Sequence, residues 1–208
     1  PVEAILSVYD EGHRHFGENY VVELTEKCPK LLSDLHWHFI GHLQSNKVKD
    51  VLRVPHLVML HSIHRLKVAK MLNEQLQREG KTLDVLVQVN TSGEESKYGC
   101  APEEAPKLIR QVATLQQLRV QGLMTIGKLG GSQGKTQQCF RTLHQIAEAV
   151  TAEAICGVSM QTLSMGMTSD YETALKEGST MVRIGQAIFG PRALPDSHYW
   201  PEMKAGTK

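Results

Sequence analysis

The chain has 208 residues, with 23 Lys+Arg against 22 Asp+Glu and a formal net charge of +1. So even a balance argues against a tail that neutralises many phosphates, and hence against a dedicated nucleic-acid binder. Apolar residues make up 41% and charged residues 22%, enough to bury a sizeable core, and with only 5% aromatics that core must be mostly aliphatic.

An amphipathic run from Val2 to Tyr9 opens the chain. Short β-rich segments follow at His15 to Gly17, His36 to Ile40 (HWHFI) and Leu57 to Leu60 (LVML). Leu66, Ala69, Leu72 and Leu76 then share one helical face. A strand at Leu83 to Val89 (LDVLVQV) precedes a second helical face, Leu108, Val112 and Leu115. The strand Leu118 to Ile126 leads into Gly127 to Gly134, a glycine-rich stretch that reads as a mobile loop. Phe140, Leu143, Ala147, Val150 and Ala154 make a third helical face, and strands at Gln161 to Ser164 and Thr180 to Ile184 complete the pattern. The cysteines, Cys28, Cys100, Cys139 and Cys156, form no CxxC pair and read as reduced thiols of a reducing compartment. No apolar run reaches the roughly 18 residues of a spanning helix, and Pro1 to Ala4 do not read as a signal peptide.

The order is a helix and then seven βα-type units, with no linker and no repeat, so one domain over 1–208 is expected. Strict alternation implies a parallel sheet with helical crossovers. A (β/α)8 TIM-type barrel needs eight strands to close. The expected fold is therefore such a barrel with its first strand missing from this chain, N-terminally incomplete, with two exposed strand edges that invite instability or aggregation. A doubly wound open sheet is the competing architecture, but the glycine-rich dinucleotide loop it should carry after its first strand is absent.

In a parallel barrel the strand C-termini face the site. Those ends carry no Ser/His/Asp set and no carboxylate pair; only Glu18 is acidic, which is poor equipment for hydrolysis. His13 with His15, and His36 with His38, read as HxH pairs that could support a metal, although the later strand ends offer Asn90, Ser164 and Arg183 in place of further ligands. Gly134-Lys135-Thr136 is a near miss to a P-loop, because the required earlier glycine is Leu129. The strongest signal is Ser164-Met165-Gly166-Met167 at one strand end and Arg183-Ile184-Gly185 at the next. Small residues before two helix starts cluster bare N–H groups, and Arg183 adds a permanent donor, which together favour a phosphate-bearing ligand.

At these residues the sequence resembles the pyridoxal-phosphate homeostasis proteins, which are similar to the alanine racemase N-terminal domain. Six blocks in order carry the resemblance across nearly the whole chain. They are Phe16 to Tyr20 (FGENY), His38 to Lys47 (HFIGHLQSNK), Gln88 to Lys97 (QVNTSGEESK), Gly122 to Gly127 (GLMTIG), Leu163 to Met167 with Asp170, and Arg183 to Gly185 through Ile188 to Gly190. The resemblance implies PLP fold type III, pyridoxal 5'-phosphate bound as a Schiff base, and a role in vitamin B6 homeostasis by buffering or delivering the cofactor without robust catalysis. A weak racemase-like PLP enzyme is the alternative. The resemblance also implies that Ser164, Gly166, Gly185 and the backbone of Gln186 hold the phosphate. Arg183 would meet the pyridine nitrogen, Asn19 would sit near the ring hydroxyl or imine, and Met124 or His42 would line the ring. It further implies a cytoplasmic monomer, with mitochondrial placement left open, whose partners are PLP and PLP-dependent apo-enzymes rather than nucleic acid or membrane.

Two departures stand out. The family's Schiff-base lysine lies in an S-K-x-K-P segment; Pro1 matches its proline, so the lysine is expected just before residue 1, and within the chain Lys47 and Lys97 are surrogate candidates by name only, against ordinary surface lysines. Gln186 stands where the family usually has Thr or Ser, so a weaker phosphate grip is expected.

Overall fold

A computed structural model of the chain describes residues 1–128 and 131–191. Its strands are β1 (His15–Glu18), β2 (His36–Phe39), β3 (Leu57–Ile63), β4 (Leu83–Gln88), β5 (Leu118–Met124), β6 (Val158–Met167) and β7 (Met181–Arg183). They form one seven-stranded sheet in chain order, every neighbour parallel. Parallel neighbours need crossovers. These are α2 (Val21–Lys27), α3 (Val48–Leu52), α4 (Leu66–Glu79), α5 (Ala105–Ala113), α6 (Gln133–Ala152) and α7 (Tyr171–Lys176), with α1 (Val2–Asp10) before β1 and α8 (Gln186–Phe189) after β7.

The sheet is curled into a nearly closed barrel. His61 on β3 and Ser164 on β6 meet side chain to side chain at 3.1 Å although β4 and β5 separate them in the sheet, which only a curled sheet allows. Among the described residues β1 and β7 are its two edges. The core lies largely between strands and helices. Phe39, Leu60, Val85, Val87 and Leu123 from the sheet join Leu72, Ile109, Phe140 and Leu143 from the helices, each fully buried. Full burial of one such side chain contributes about 1.5–3 kcal/mol.

All seven strands read from the sequence are present, and so are the three helical faces, except that Leu115 and Ala154 lie beyond the ends of α5 and α6, Ala154 at φ +49°. β6 is longer than expected, running from Val158 to Met167. The glycine-rich stretch is shorter as a loop than expected: α6 begins at Gln133, so Gly134, Lys135 and Thr136 sit in its first turn. Leu129 and Gly130 lie outside the described residues. The four- to seven-residue helices α2, α3, α7 and α8 carry too few turns for a periodic signal. Cys28, Cys100 and Cys139 are buried thiols and Cys156 is an exposed one. No helix of the described residues is long and apolar enough to cross a membrane.

Candidate functional site

The parallel register puts all strand C-termini at one mouth, and Arg183, the last residue of β7, reaches across it. Its Nη1 donates to the Ser164 carbonyl at 2.8 Å and to Ser164 Oγ at 2.7 Å, and its Nη2 donates to the Thr125 carbonyl at 2.9 Å. Three acceptors from two strand ends thus fix the guanidinium plane. Burial pulls Arg183 down to about 10, partly offset by Asp170, so it is still a cation at neutral pH. Thr125 is itself fully buried, its hydroxyl donating to the Val89 carbonyl at 2.8 Å. The anchor therefore rests on a braced strand end.

The structure brings Ser164 and Arg183 together, in a different division of labour from the one expected. Ser164 was read as a phosphate ligand; its hydroxyl is fully buried and engaged by Arg183 and by His61. Gly166 is packed against α7. It is buried at φ +95°, where an added Cβ would come within 2.6 Å of Ala174 Cβ on α7, so α7 leaves no room for a side chain there. Met124 ends β5 fully buried.

Gly185 and Gln186 do lie exposed at the start of α8. A Cβ on Gly185 would meet no atom within 4 Å, so protein packing leaves that backbone bare. Beside them the Ala187 N–H donates to Thr168 Oγ1 at 3.3 Å. Asn19 follows β1, half-buried, its backbone pressed against Gly41 at a separation that no side chain at 41 would permit. His42, after β2, stacks on Tyr98 from the β4 loop, with ring centroids 3.8 Å apart and planes 13° from parallel. Of the surrogate lysines, Lys97 pairs with Glu94 and donates to the Gly127 carbonyl at 2.7 Å, tying the β4 and β5 loops together, while Lys47 pairs with Asp50.

The HxH strands do converge, but on one another. His36 Nδ1 lies 3.3 Å from His15 Nε2, His15 Nδ1 lies 3.0 Å from His38 Nε2, and His38 Nδ1 lies 2.9 Å from His61 Nε2. Each nitrogen is used on a neighbouring ring rather than pointed at a common centre. Among the described residues no three His, Cys, Asp or Glu side chains are grouped to hold a metal. Burial drives His38 down to about 4 and His61 well below the usual imidazole range, and the facing His15 and His38 respectively push the same way. His61, Thr125 and Thr168 are site residues that the sequence reading missed. His61 carries the one available signal, an imidazole on a β-rich segment followed by His64.

The family model for the alanine racemase N-terminal domain matches residues 2–193. A pyridoxal phosphate homeostasis protein of Schizosaccharomyces pombe is 42% identical over 193 residues, covering 92% of this chain and 80% of that protein. The human protein of that name is 43% identical over 202 residues, covering 92% and 73% respectively. Among solved structures, PipY of Synechococcus elongatus with PLP bound superposes with a TM-score of 0.82 at 33% identity, over 91% of this chain and 88% of that one. The arrangement at the mouth and these likenesses agree, and the chain belongs to the alanine racemase N-terminal-domain family, among the pyridoxal phosphate homeostasis proteins.

Proposed function

We propose that this protein binds pyridoxal 5'-phosphate at the barrel mouth and acts in PLP homeostasis as a carrier. The observation that carries the reading is the Arg183 guanidinium, locked at the mouth with the open backbone of Gly185 and Gln186 close by in sequence. The donor set fits a planar, phosphate-bearing ligand. Arg183 supplies the cation, and its Nε is outside the three bonds that fix it. Gly185 offers bare backbone with open space where a Cβ would stand, followed by Gln186 at the start of α8, and the Thr168 hydroxyl is bonded to the next N–H, that of Ala187. The relatives named for this cofactor, and PipY with PLP bound, support the same ligand.

When bound, PLP supplies an electron-withdrawing ring and a reactive aldehyde. Arg183 keeps its proton and can only donate, so it holds a ring nitrogen beside it as an acceptor. A ring held that way withdraws electrons less strongly, which suits storage and hand-over to apo-enzymes better than turnover. The proposal is thus a non-catalytic carrier acting in the cytoplasm, with a racemase as the rival reading.

Titrating PLP by absorbance into the native protein and into Arg183→Leu tests the site. Loss of one hydrogen bond to a charged group predicts binding at least about tenfold weaker in the variant; equal affinity would remove Arg183 from the site. Chiral analysis after incubating the PLP-loaded protein with L-alanine separates carrier from racemase, since turnover above that of free PLP would favour the enzyme.

A further inference from the structure

Four imidazoles form a line from the exposed starts of β1 and β2 to the serine that holds Arg183. They climb the barrel in order. His15 and His36 are the first residues of β1 and β2 and are exposed, His38 is 7% exposed, His61 is 1% exposed, and Ser164 below Arg183 is fully buried. Barrel interiors are ordinarily filled by branched aliphatic side chains, so a polar column here needs its own account.

The guanidinium fixes the sense of that column. Arg183 can only donate, and it gives a hydrogen to Ser164 Oγ at 2.7 Å. The hydroxyl's own hydrogen then has His61 Nδ1, 3.1 Å away, as its acceptor. A neutral imidazole that accepts at Nδ1 carries its hydrogen on Nε2. His61 therefore donates from Nε2 to His38 Nδ1, His38 from Nε2 to His15 Nδ1, and His15 from Nε2 to His36 Nδ1. His36 is left with its Nε2 hydrogen at the solvent end. The opposite sense would have His61 and Arg183 both donate to Ser164 Oγ, stranding the hydroxyl hydrogen in a buried site, which proteins avoid.

We infer that His61, His38, His15 and His36 are positioning residues for Arg183, forming one hydrogen-bond chain of single sense that holds the guanidinium through the Ser164 hydroxyl. The chain must be neutral along its buried stretch, because a doubly protonated ring has no acceptor nitrogen. Its surroundings agree. His61 faces His38, Ser164 and Arg183; His38 faces His15 and His61; His15 faces His36 and His38, with His13 nearby. Asp170 is the acidic group that acts on Arg183, and no carboxylate is hydrogen-bonded to any of the four rings among the described residues. The chain itself stands on these contacts, while its effect on a ligand rests on the PLP reading of Arg183.

Nitrogen-15 NMR of the ligand-free, full-length protein at neutral pH reads the tautomers directly. The buried rings of His61 and His38 should be neutral with hydrogen on Nε2, and the Arg183 Nη hydrogens should be resolved because the group cannot turn. Hydrogen on Nδ1 of His61 or His38, or a charged ring at either position, would overturn the inference. Two variants follow. His61→Leu removes the acceptor, so the Arg183 signals should collapse and PLP should bind about tenfold more weakly. His61→Gln keeps one acceptor and one donor and should restore both readouts. A His61→Leu protein that keeps resolved Arg183 signals would sink the positioning role. Should His61→Leu fail to fold, the tautomers of the native protein and the His61→Gln rescue still decide. If the native protein binds no PLP, the carrier reading fails, yet the NMR result still decides the chain.

Discussion

Ser164 is the junction on which this site turns. Its hydroxyl is within 2.7 Å of Arg183 Nη1 and 3.1 Å of His61 Nδ1, with no solvent access. Ser164→Ala therefore deletes two hydrogen bonds and leaves His61 Nδ1 buried without a partner. An orphaned buried polar atom costs about 1–3 kcal/mol, so the urea midpoint should fall and PLP binding should weaken as the guanidinium loosens. A variant with unchanged stability and unchanged PLP affinity would contradict both roles. The proximity of Ser164 to Arg183 was legible in the sequence, because adjacent strand ends in a parallel sheet must lie side by side. The direction of the serine was not. Which face of β6 holds Ser164 depends on the register shift between Ser164 and Met167 opposite β7, which no local pattern encodes.

At the scale of elements, two glycines mark where the chain turns between strand and helix, and they separate strain from crowding. Gly80 ends α4 at φ +64°, its N–H bonded to the Leu76 and Gln77 carbonyls, with open space around a would-be Cβ. Gly166 has φ +95° and would collide with Ala174 on α7. Gly80→Ala should cost about 1 kcal/mol, the strain of a left-handed residue alone. Gly166→Ala should cost more, roughly 2–4 kcal/mol, since strain and overpacking add. Urea unfolding of the pair checks the ordering, and equal losses would mean that α7 moves aside. Gly80 could be foreseen at the end of a periodic run of leucines. Gly166 could not, because its demand comes from a helix that follows it in sequence but folds back onto it.

For the molecule as a whole, the polar column ties stability to pH. Burial lowers His38 from an ordinary 6.5 to about 4, and lowers His61 in the same direction. Between those values the unfolded chain binds a proton that the folded chain does not, so stability must fall as pH falls through the window. His38 alone accounts for on the order of 3 kcal/mol, present above about pH 6.5 and lost progressively down to about pH 4. Urea midpoints from pH 7 to pH 4 should drop more steeply for the native protein than for His38→Gln, whose amide keeps a donor and an acceptor but does not titrate. Identical slopes would place the acid sensitivity elsewhere.

Much of this was written in the chain. Seven β-rich runs alternating with helical faces determined a parallel barrel, since buried parallel strands need apolar runs and their crossovers need amphipathic helices. The residues at the strand ends pointed to phosphate, and the motif blocks to the family. Tertiary structure decided what sequence spacing could not express. His38 and His61 are 23 residues apart and meet because β2 and β3 pair side by side, while His61 and Ser164 are 103 apart and meet only because the sheet curls. Strand pairing joined three members of what read locally as two metal-like HxH pairs into one line with His61, and the curl brought that line to the Ser164 hydroxyl that Arg183 holds.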